Sequence, residues 1–333
     1  MGKDLIQKSL KDSLLTGIIA LALFGPIVGL RTVAKNEVLI VEPKWLVVLL
    51  CVLGFGCNWA GQSQHLPAET VDVNGLSRTY HIFVPANPPE GVMPLIIAAH
   101  GGGGAGEVFP QQAQFEALAE AEGIIIALPQ GQLFPGNEGD WLLNTGPDRM
   151  EDINFMNALI DDVASKHTVD ITSIYGIGYS LGSMFSYEFA CQMSHRFAAI
   201  ASFAGTMPVN PTNCEPQRFA PIMHIHGTDD TIISYGNEWG WKSWPQVGDM
   251  RDIPGLLSYW REKYQCTDEQ ETAGANATHV VYGGCVQNAR VEHYRIGGAG
   301  HGWPDQINGT STHQVMWNFL REWTIPPEGG PID

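Results

Sequence analysis

From about Glu69 onward, short apolar runs alternate with longer stretches of mixed polarity. PLIIAA (94–99) and IIIAL (124–128) have no polar position at all, as expected of strands buried on both faces of a parallel sheet. IYGI (174–177) reads as a buried strand, AAIASF (198–203) and PIMHIH (221–226) as strand-like, and VEHYRI (291–296) as the last strand. TYHIFV (79–84) alternates like an early strand with one partly exposed face. Between these runs, Gln111–Glu122, Ile153–His167, Met184–Ala190, Pro254–Tyr264 and Thr312–Trp323 read as helices. Asp152 stands where an N-cap would serve the second of them. Strands alternating with helices predict a mostly parallel central sheet with helices on both faces, formed by one domain over residues 67–333.

The run 174–177 leads into Gly178-Tyr179-Ser180-Leu181-Gly182 and then into the helical stretch from Met184. A serine on a strand-to-helix turn, flanked by glycine two residues before and after, is a nucleophile elbow. The turn is too tight for Cβ atoms beside the serine, whose hydroxyl must stand clear of the backbone. The helix that follows turns its free N–H groups and positive dipole end toward developing negative charge.

A serine nucleophile needs a base and an acid to orient that base, and on such an elbow they follow in the order acid, then histidine. HIHGTDD (224–230) ends a buried strand and offers Asp229 or Asp230. GGAGHGWP (297–304) follows the last strand and places His301 in a glycine-rich loop ahead of the final helix. His100, His224 and His226 are expected to bond loop backbone. His65, His81, His167, His195, His279, His293 and His313 read as surface or strand residues. An oxyanion hole would take one donor from the Leu181 N–H and the other from the glycine run Gly101–Gly104. Ala105-Gly106-Glu107 follows that run where a phosphate-binding loop would carry lysine and serine or threonine, so a nucleotide site is not expected.

The formal charge of −17 and a pI near 4.9 argue against nucleic acid or anionic membrane surfaces as partners and suit an acidic exported protein. Ten tryptophans fit a cleft that grips rings, sugars or polyester. Of six cysteines, Cys51 and Cys57 lie in the apolar front end, leaving Cys191, Cys214, Cys266 and Cys285. Four cysteines beyond an export segment imply two disulfides, with three pairings open and the nearest-neighbour pairing Cys191–Cys214 and Cys266–Cys285 the one expected. No C-x-x-C or His/Cys cluster suggests a metal site, and no cofactor is implied.

Residues 1–66 differ from the rest. Leu14–Leu30 is apolar and uncharged for 17 residues behind Lys3, Lys8 and Lys11, at the short limit for a membrane span. A second apolar run, Trp45–Gly56, begins after Lys44 and reads as an export signal, with Cys57 a loose match to a lipidation site. Secretion or a periplasmic location, with lipid or membrane anchoring through this segment, is the expectation. The stretch ALFGPIVGLRTV within residues 1–40 resembles the N-terminus of permease subunits of bacterial branched-chain amino-acid transporters. No further transporter span follows, so a fused or wrongly started frame stands beside a genuine anchor, and no transport function is drawn.

PLIIAAHGGGG, ALPQG, EDINFMNALIDD, GYSLGSMFSYEFAC, RFAAIASFAG, HIHGTDD and GGAGHGWP resemble, in order and spacing, the polyhydroxybutyrate depolymerase, feruloyl esterase and acetylxylan esterase group of secreted α/β-hydrolases. The resemblance covers residues 75–323 or so. It implies an α/β-hydrolase fold and a serine esterase with Ser180 as nucleophile, His301 as base and Asp230 as acid, since the family's acid lies four residues after the histidine of its HGT stretch. Gly102 and Leu181 would supply the oxyanion N–H groups. The family also tends to carry cysteines near the four named above. The substrate implied is an ester of plant polysaccharide, a polyester or a small acyl ester. This chain departs from the pattern after the serine, where Leu181-Gly182-Ser183 replaces Asn-Gly-Gly, and in the tryptophan-rich stretch 235–252. Trp239, Trp241, Trp244 and Trp303 are the candidates to line the cleft. A serine peptidase on the same fold remains an alternative; a non-catalytic carbohydrate- or lipid-binding relative would be expected to lose Ser180 or His301, and neither is lost.

Overall fold

The computed structural model describes residues 66–326, apart from residues 107, 135–139, 237 and 241. The apolar front-end segments, Cys51, Cys57, His65 and Trp241 lie outside the described residues. In chain order the elements are β1 (Ala68–Val73), β2 (Leu76–Phe83), β3 (Met93–Ala99), α1 (Gln112–Glu122), β4 (Ile125–Pro129), α2 (Glu151–Lys166), β5 (Val169–Tyr179) and α3 (Leu181–Gln192). They continue with β6 (Ala199–Phe203), β7 (Ile222–Gly227), the short pair β8 (Ser243–Trp244) and β9 (Gly248–Asp249), α4 (Ile253–Lys263), β10 (Asp268–Ala273), β11 (Ala277–Gly283), β12 (Val291–Ile296), a second short pair β13 (Gln306–Ile307) and β14 (Thr310–Ser311), and α5 (Thr312–Leu320).

Ten strands form one sheet in the order β1-β2-β4-β3-β5-β6-β7-β12-β11-β10. The six from β4 to β12 run parallel, and an antiparallel pair closes each edge. The pleat sorts the apolar residues: Leu95, Ile97 and Ala99 face α2, α3 and α4, whereas Ile96 and Ala98 face α1 and α5. Both faces are thus covered, which is why β3 and β4 carry no polar residue. The parallel strands send their carboxyl ends to one edge, where β3, β5, β7 and β12 each release a loop that meets at Ser180.

Two disulfides, Cys191–Cys214 and Cys266–Cys285, are the nearest-neighbour pairs. Asp152 is not an N-cap: α2 begins at Glu151 with Met150 at the cap position, and Asp152 lies buried in its first turn. There it accepts from Arg78 Nη2 at 2.8 Å and from the Leu142 N–H at 2.7 Å. A charged partner 74 residues away has taken the carboxylate from the local role. The β10–β11 hairpin is an addition to the predicted strands; DEQETA is exposed at every position and carries no apolar signal. Among the described residues no helix is long and apolar enough to cross a membrane.

Candidate active site

Ser180 sits between the end of β5 and the first turn of α3 with φ 54° and ψ −117°, a conformation that costs a non-glycine residue on the order of 1–3 kcal/mol. The surroundings over-determine it. Its N–H donates to the Phe203 carbonyl at 2.9 Å and its carbonyl accepts the Met184 N–H at 3.1 Å. A Cβ on Gly182 would overlap the Ala99 and His100 carbonyls, so only glycine lets α3 start this close to β3.

Ser180 Oγ is 2.8 Å from His301 Nε2, and His301 Nδ1 is 2.8 Å from Asp230 Oδ2. With Asp230 as acceptor, Nδ1 carries the proton and Nε2 is free to accept from the serine. The other carboxylate oxygen, Oδ1, accepts the N–H groups of Ile232 and Ile233 at 2.8 and 2.9 Å. Burial alone would raise the Asp230 carboxyl, but bonds from His226, His301 and the Ile233 N–H outweigh it and hold the group well below the usual carboxylate range. The loops bearing acid and histidine are stitched together: the Asp229 N–H donates to Ala299 O at 2.9 Å and the Gly298 N–H to Thr228 Oγ1 at 2.8 Å. Any side chain at Gly227 would collide with the Ala299 carbonyl, so that contact also demands glycine.

The glycine loop after β3 lies against the elbow. Gly101 faces Tyr179 and Ser180, and a Cβ on Gly102 would stand 3.6 Å from Leu181 Cδ2. The loop is held from behind by His100, which burial keeps below its ordinary pKa. His100 Nε2 accepts the Gly131 N–H at 2.9 Å, so its proton resides on Nδ1 and is donated to Gly101 O at 2.8 Å. Trp141 Nε1 donates to His100 O at 2.9 Å, the Gly103 N–H to Asp140 Oδ2 at 2.5 Å, and the Gly106 N–H to Gln130 Oε1 at 2.7 Å. Leu181 opens α3, where first-turn N–H groups have no partner within the helix.

The tryptophans separate. Trp303 is half-buried beside the histidine, edge-on to Tyr179 at 6.0 Å and to Phe109 at 5.5 Å, with Phe203 at 4.9 Å. Trp239, expected at the cleft, is only 4% exposed and belongs to the core on the α3 face; Trp244 packs partly buried against that core. Sequence reading passed over Tyr179, whose ring lies 5.5 Å from His301 and whose hydroxyl donates to His301 O at 3.2 Å. Its place inside the elbow pentapeptide was the available signal. His293 is a strand residue of β12, buried and bonded to the His224 carbonyl at 3.0 Å, whereas His313 is neither surface nor strand: it is buried in α5 and stacks on Phe115 at 4.7 Å. His224 bonds side chains in place of the expected loop backbone, through Tyr187 and His226. Among the described residues no group of three or more His, Cys, Asp or Glu side chains is arranged to hold a metal ion.

Residues 147–239, which include the elbow and the Asp230 loop, match the family described as Phospholipase/Carboxylesterase. The chain is 24% identical over 265 residues to the bifunctional acetylxylan esterase/xylanase XynS20E of Neocallimastix patriciarum, covering 78% of this chain and 35% of that one. It is 27% identical over 240 residues to feruloyl esterase B of Piromyces equi, covering 70% of this chain and 42% of that one. It therefore spans well under two thirds of either relative. The acetyl xylan esterase from Aspergillus awamori superposes with a TM-score of 0.55 at 15% identity, over 77% of this chain and 99% of that one. The chain has the α/β-hydrolase fold, and its relatives in sequence are carboxylic-ester hydrolases. Residues 8–56 match a family described only as a domain of unknown function, which lends no support to the transporter resemblance.

Proposed function

We propose that this chain is a serine carboxylic-ester hydrolase that works through an acyl-enzyme. The observation that carries the reading is the unbroken chain of contacts from Ser180 through His301 to Asp230. Ser180 Oγ attacks the ester carbonyl as His301 Nε2 takes its proton; Asp230 holds the imidazole and stabilises its positive charge. The N–H groups of Gly102 and Leu181 receive the oxyanion, and His301 returns the proton to the departing alcohol. Water then attacks the acyl-enzyme by the same route in reverse, and the free acid leaves.

The substrate class is an acyl ester of plant polysaccharide, acetyl or feruloyl, in preference to a polyester. The two fungal relatives support this by what they are named for, and the ring wall of Trp303 and Tyr179 beside His301 suits a flat acyl group or a sugar face. Residues 67–333 would form the catalytic domain and residues 1–66 an export segment. The disulfides support an oxidising compartment. Hydrolysis of p-nitrophenyl acetate, p-nitrophenyl butyrate and methyl ferulate by the wild-type chain, beside Ser180→Ala, tests the reading. We expect kcat to fall by roughly 10⁴-fold or more in the variant. A folded wild type inert on all three esters would overturn it.

A further inference from the structure

The acid of the triad is backed by a second row of polar side chains that the reaction as derived above leaves unused. Asp230 Oδ2, which receives His301, also lies 3.3 Å from His226 Nε2, and both side chains are fully buried. His226 Nε2 is 2.8 Å from the Ile233 carbonyl as well. Neither a carboxylate nor a carbonyl can donate, so Nε2 of His226 carries the proton, bonded to the Ile233 carbonyl with Asp230 Oδ2 at 3.3 Å beside it. That leaves Nδ1 as an acceptor, and the atom facing it at 3.1 Å is His224 Nε2, which must therefore be the donor. His224 Nδ1 in turn accepts from the Tyr187 hydroxyl at 2.8 Å, with Ser202 Oγ at 3.3 Å. Ser202 bonds Ser183 on α3, so the row starts on the helix that begins at Ser180 and ends on the acid.

With one proton on each ring, the partners fix both tautomers, and each proton stands on the side of its ring nearer Asp230. Burial, with the neighbouring His226 and His293, keeps His224 well below its ordinary pKa. The other groups facing the row leave its polarity intact. His293, stacked on His224 at 5.6 Å, is pushed down to about 3, chiefly by burial; Tyr235 donates to His293 Nε2 at 2.9 Å and stands edge-on to His226 at 6.0 Å. Tyr179 packs on His301 at 5.5 Å and its hydroxyl pKa is pushed up by burial and by Asp230, and Asp229 is exposed.

We infer that His226, backed by His224 and Tyr187, is a positioning residue that keeps Asp230 ionised and aimed at His301. Removing its N–H withdraws stabilisation from the carboxylate. The coupled Asp230–His301 pair then takes up a proton at higher pH, and the acid limb of the rate profile moves up. A residue that merely filled space would lower stability without moving that limb.

The inference rests on the esterase reading, and the experiment separates the two. Wild type, His226→Leu and His226→Gln are compared on p-nitrophenyl acetate across pH, with folding checked by near-ultraviolet circular dichroism. If the wild type is inert, the esterase reading fails first. With active wild type, we expect His226→Leu to lose about ten-fold in kcat at little change in KM, with its acid limb raised by about half a pH unit or more. The glutamine amide nitrogen reaches the position of Nε2 and should restore most of both. A folded leucine variant with the wild-type limb and kcat, or a glutamine variant as impaired as the leucine one, would overturn the assignment. Should the leucine chain not fold, His226→Asn, whose amide nitrogen reaches only the Nδ1 position, takes its place against His226→Gln with the same readings.

Discussion

Two loops converge on Ser180, and each is backed by a buried histidine, yet the two histidines are wired differently. His100, behind the glycine loop, bonds backbone at both nitrogens, the Gly131 N–H and the Gly101 carbonyl. His226, behind the acid, reaches a charged side chain and another imidazole. The first wiring fixes where N–H groups stand; the second fixes where a charge stands and how firmly it is held. Both rings are buried, so what separates them is the partner. Damage to the glycine side should alter rates without altering their pH dependence, and damage to the acid side should alter both.

The largest effect that tests this contrast is expected from a residue far from the serine. Arg78 and Asp152 form an ion pair in which both side chains are 1% exposed, with the Arg78 guanidinium 4.1 Å above the Phe155 ring. Asp152 also holds the Leu142 N–H, and the adjacent Trp141 holds the His100 carbonyl. Arg78→Met leaves a buried carboxylate without its counter-charge and should cost about 3–5 kcal/mol, read from urea denaturation. Because the pair anchors the segment behind the glycine loop, kcat of the folded fraction should fall with the pH profile unmoved. A stability loss with kcat intact would break the connection between that segment and the loop.

His100→Leu is next in size. It removes both backbone bonds while filling a similar volume, so Gly101 and Gly102 lose their fixed distance from Leu181. In the proposed mechanism these are the oxyanion donors, and misplacing them should lower kcat by roughly 10- to 100-fold. Its acid limb should coincide with that of wild type. A limb that moves as expected for His226→Leu would erase the distinction between the two histidines.

How much of this could be read in advance follows the same division. The elbow, the glycine run and the HGT and GHG loops were legible because close backbone approach leaves glycines at fixed spacing, as the obligatory Gly182 and Gly227 illustrate. The parallel strands β3 and β4 were legible as uninterrupted apolar runs. The polar wiring was not. Asp152 looked like a cap because sequence reveals neighbours along the chain and conceals Arg78, four elements earlier. His224 looked like a loop fastener but bonds Tyr187 of α3 and His226; His226 does fasten the loop through the Ile233 carbonyl, and only its approach to Asp230 went unread. Trp239 looked like a cleft residue because a tryptophan-rich stretch is silent on which rings turn inward. The edge strand β10 was missed for the opposite reason, being exposed on every residue.

The smallest effect separates a pH response of the fold from one of the triad. Glu188 is buried in α3, accepting the Asn144 N–H at 2.7 Å and Gln192 Nε2 at 2.6 Å. Asn144 fastens two loop segments, one through Asn210 O and the Thr212 N–H and the other through Val247 O. Burial pushes the Glu188 carboxyl up to about 7, against the opposing pull of those two hydrogen bonds. A raised carboxyl means the folded chain binds a proton that the unfolded chain has released. Its contribution to stability is thus fully present below the unfolded value of about 4.3 and is lost as pH rises through about 7. Glutamine at this position is neutral throughout. Between pH 5 and pH 8.5 the melting temperature of Glu188→Gln should therefore gain on that of wild type, by the equivalent of on the order of 1 kcal/mol. The acid limb of its rate profile should stay in place, because Glu188 touches neither Asp230 nor His301. A melting-temperature difference that is flat across that range would mean that Glu188 does not change charge there. A shifted limb would mean that the glycine side and the acid side share their protons after all.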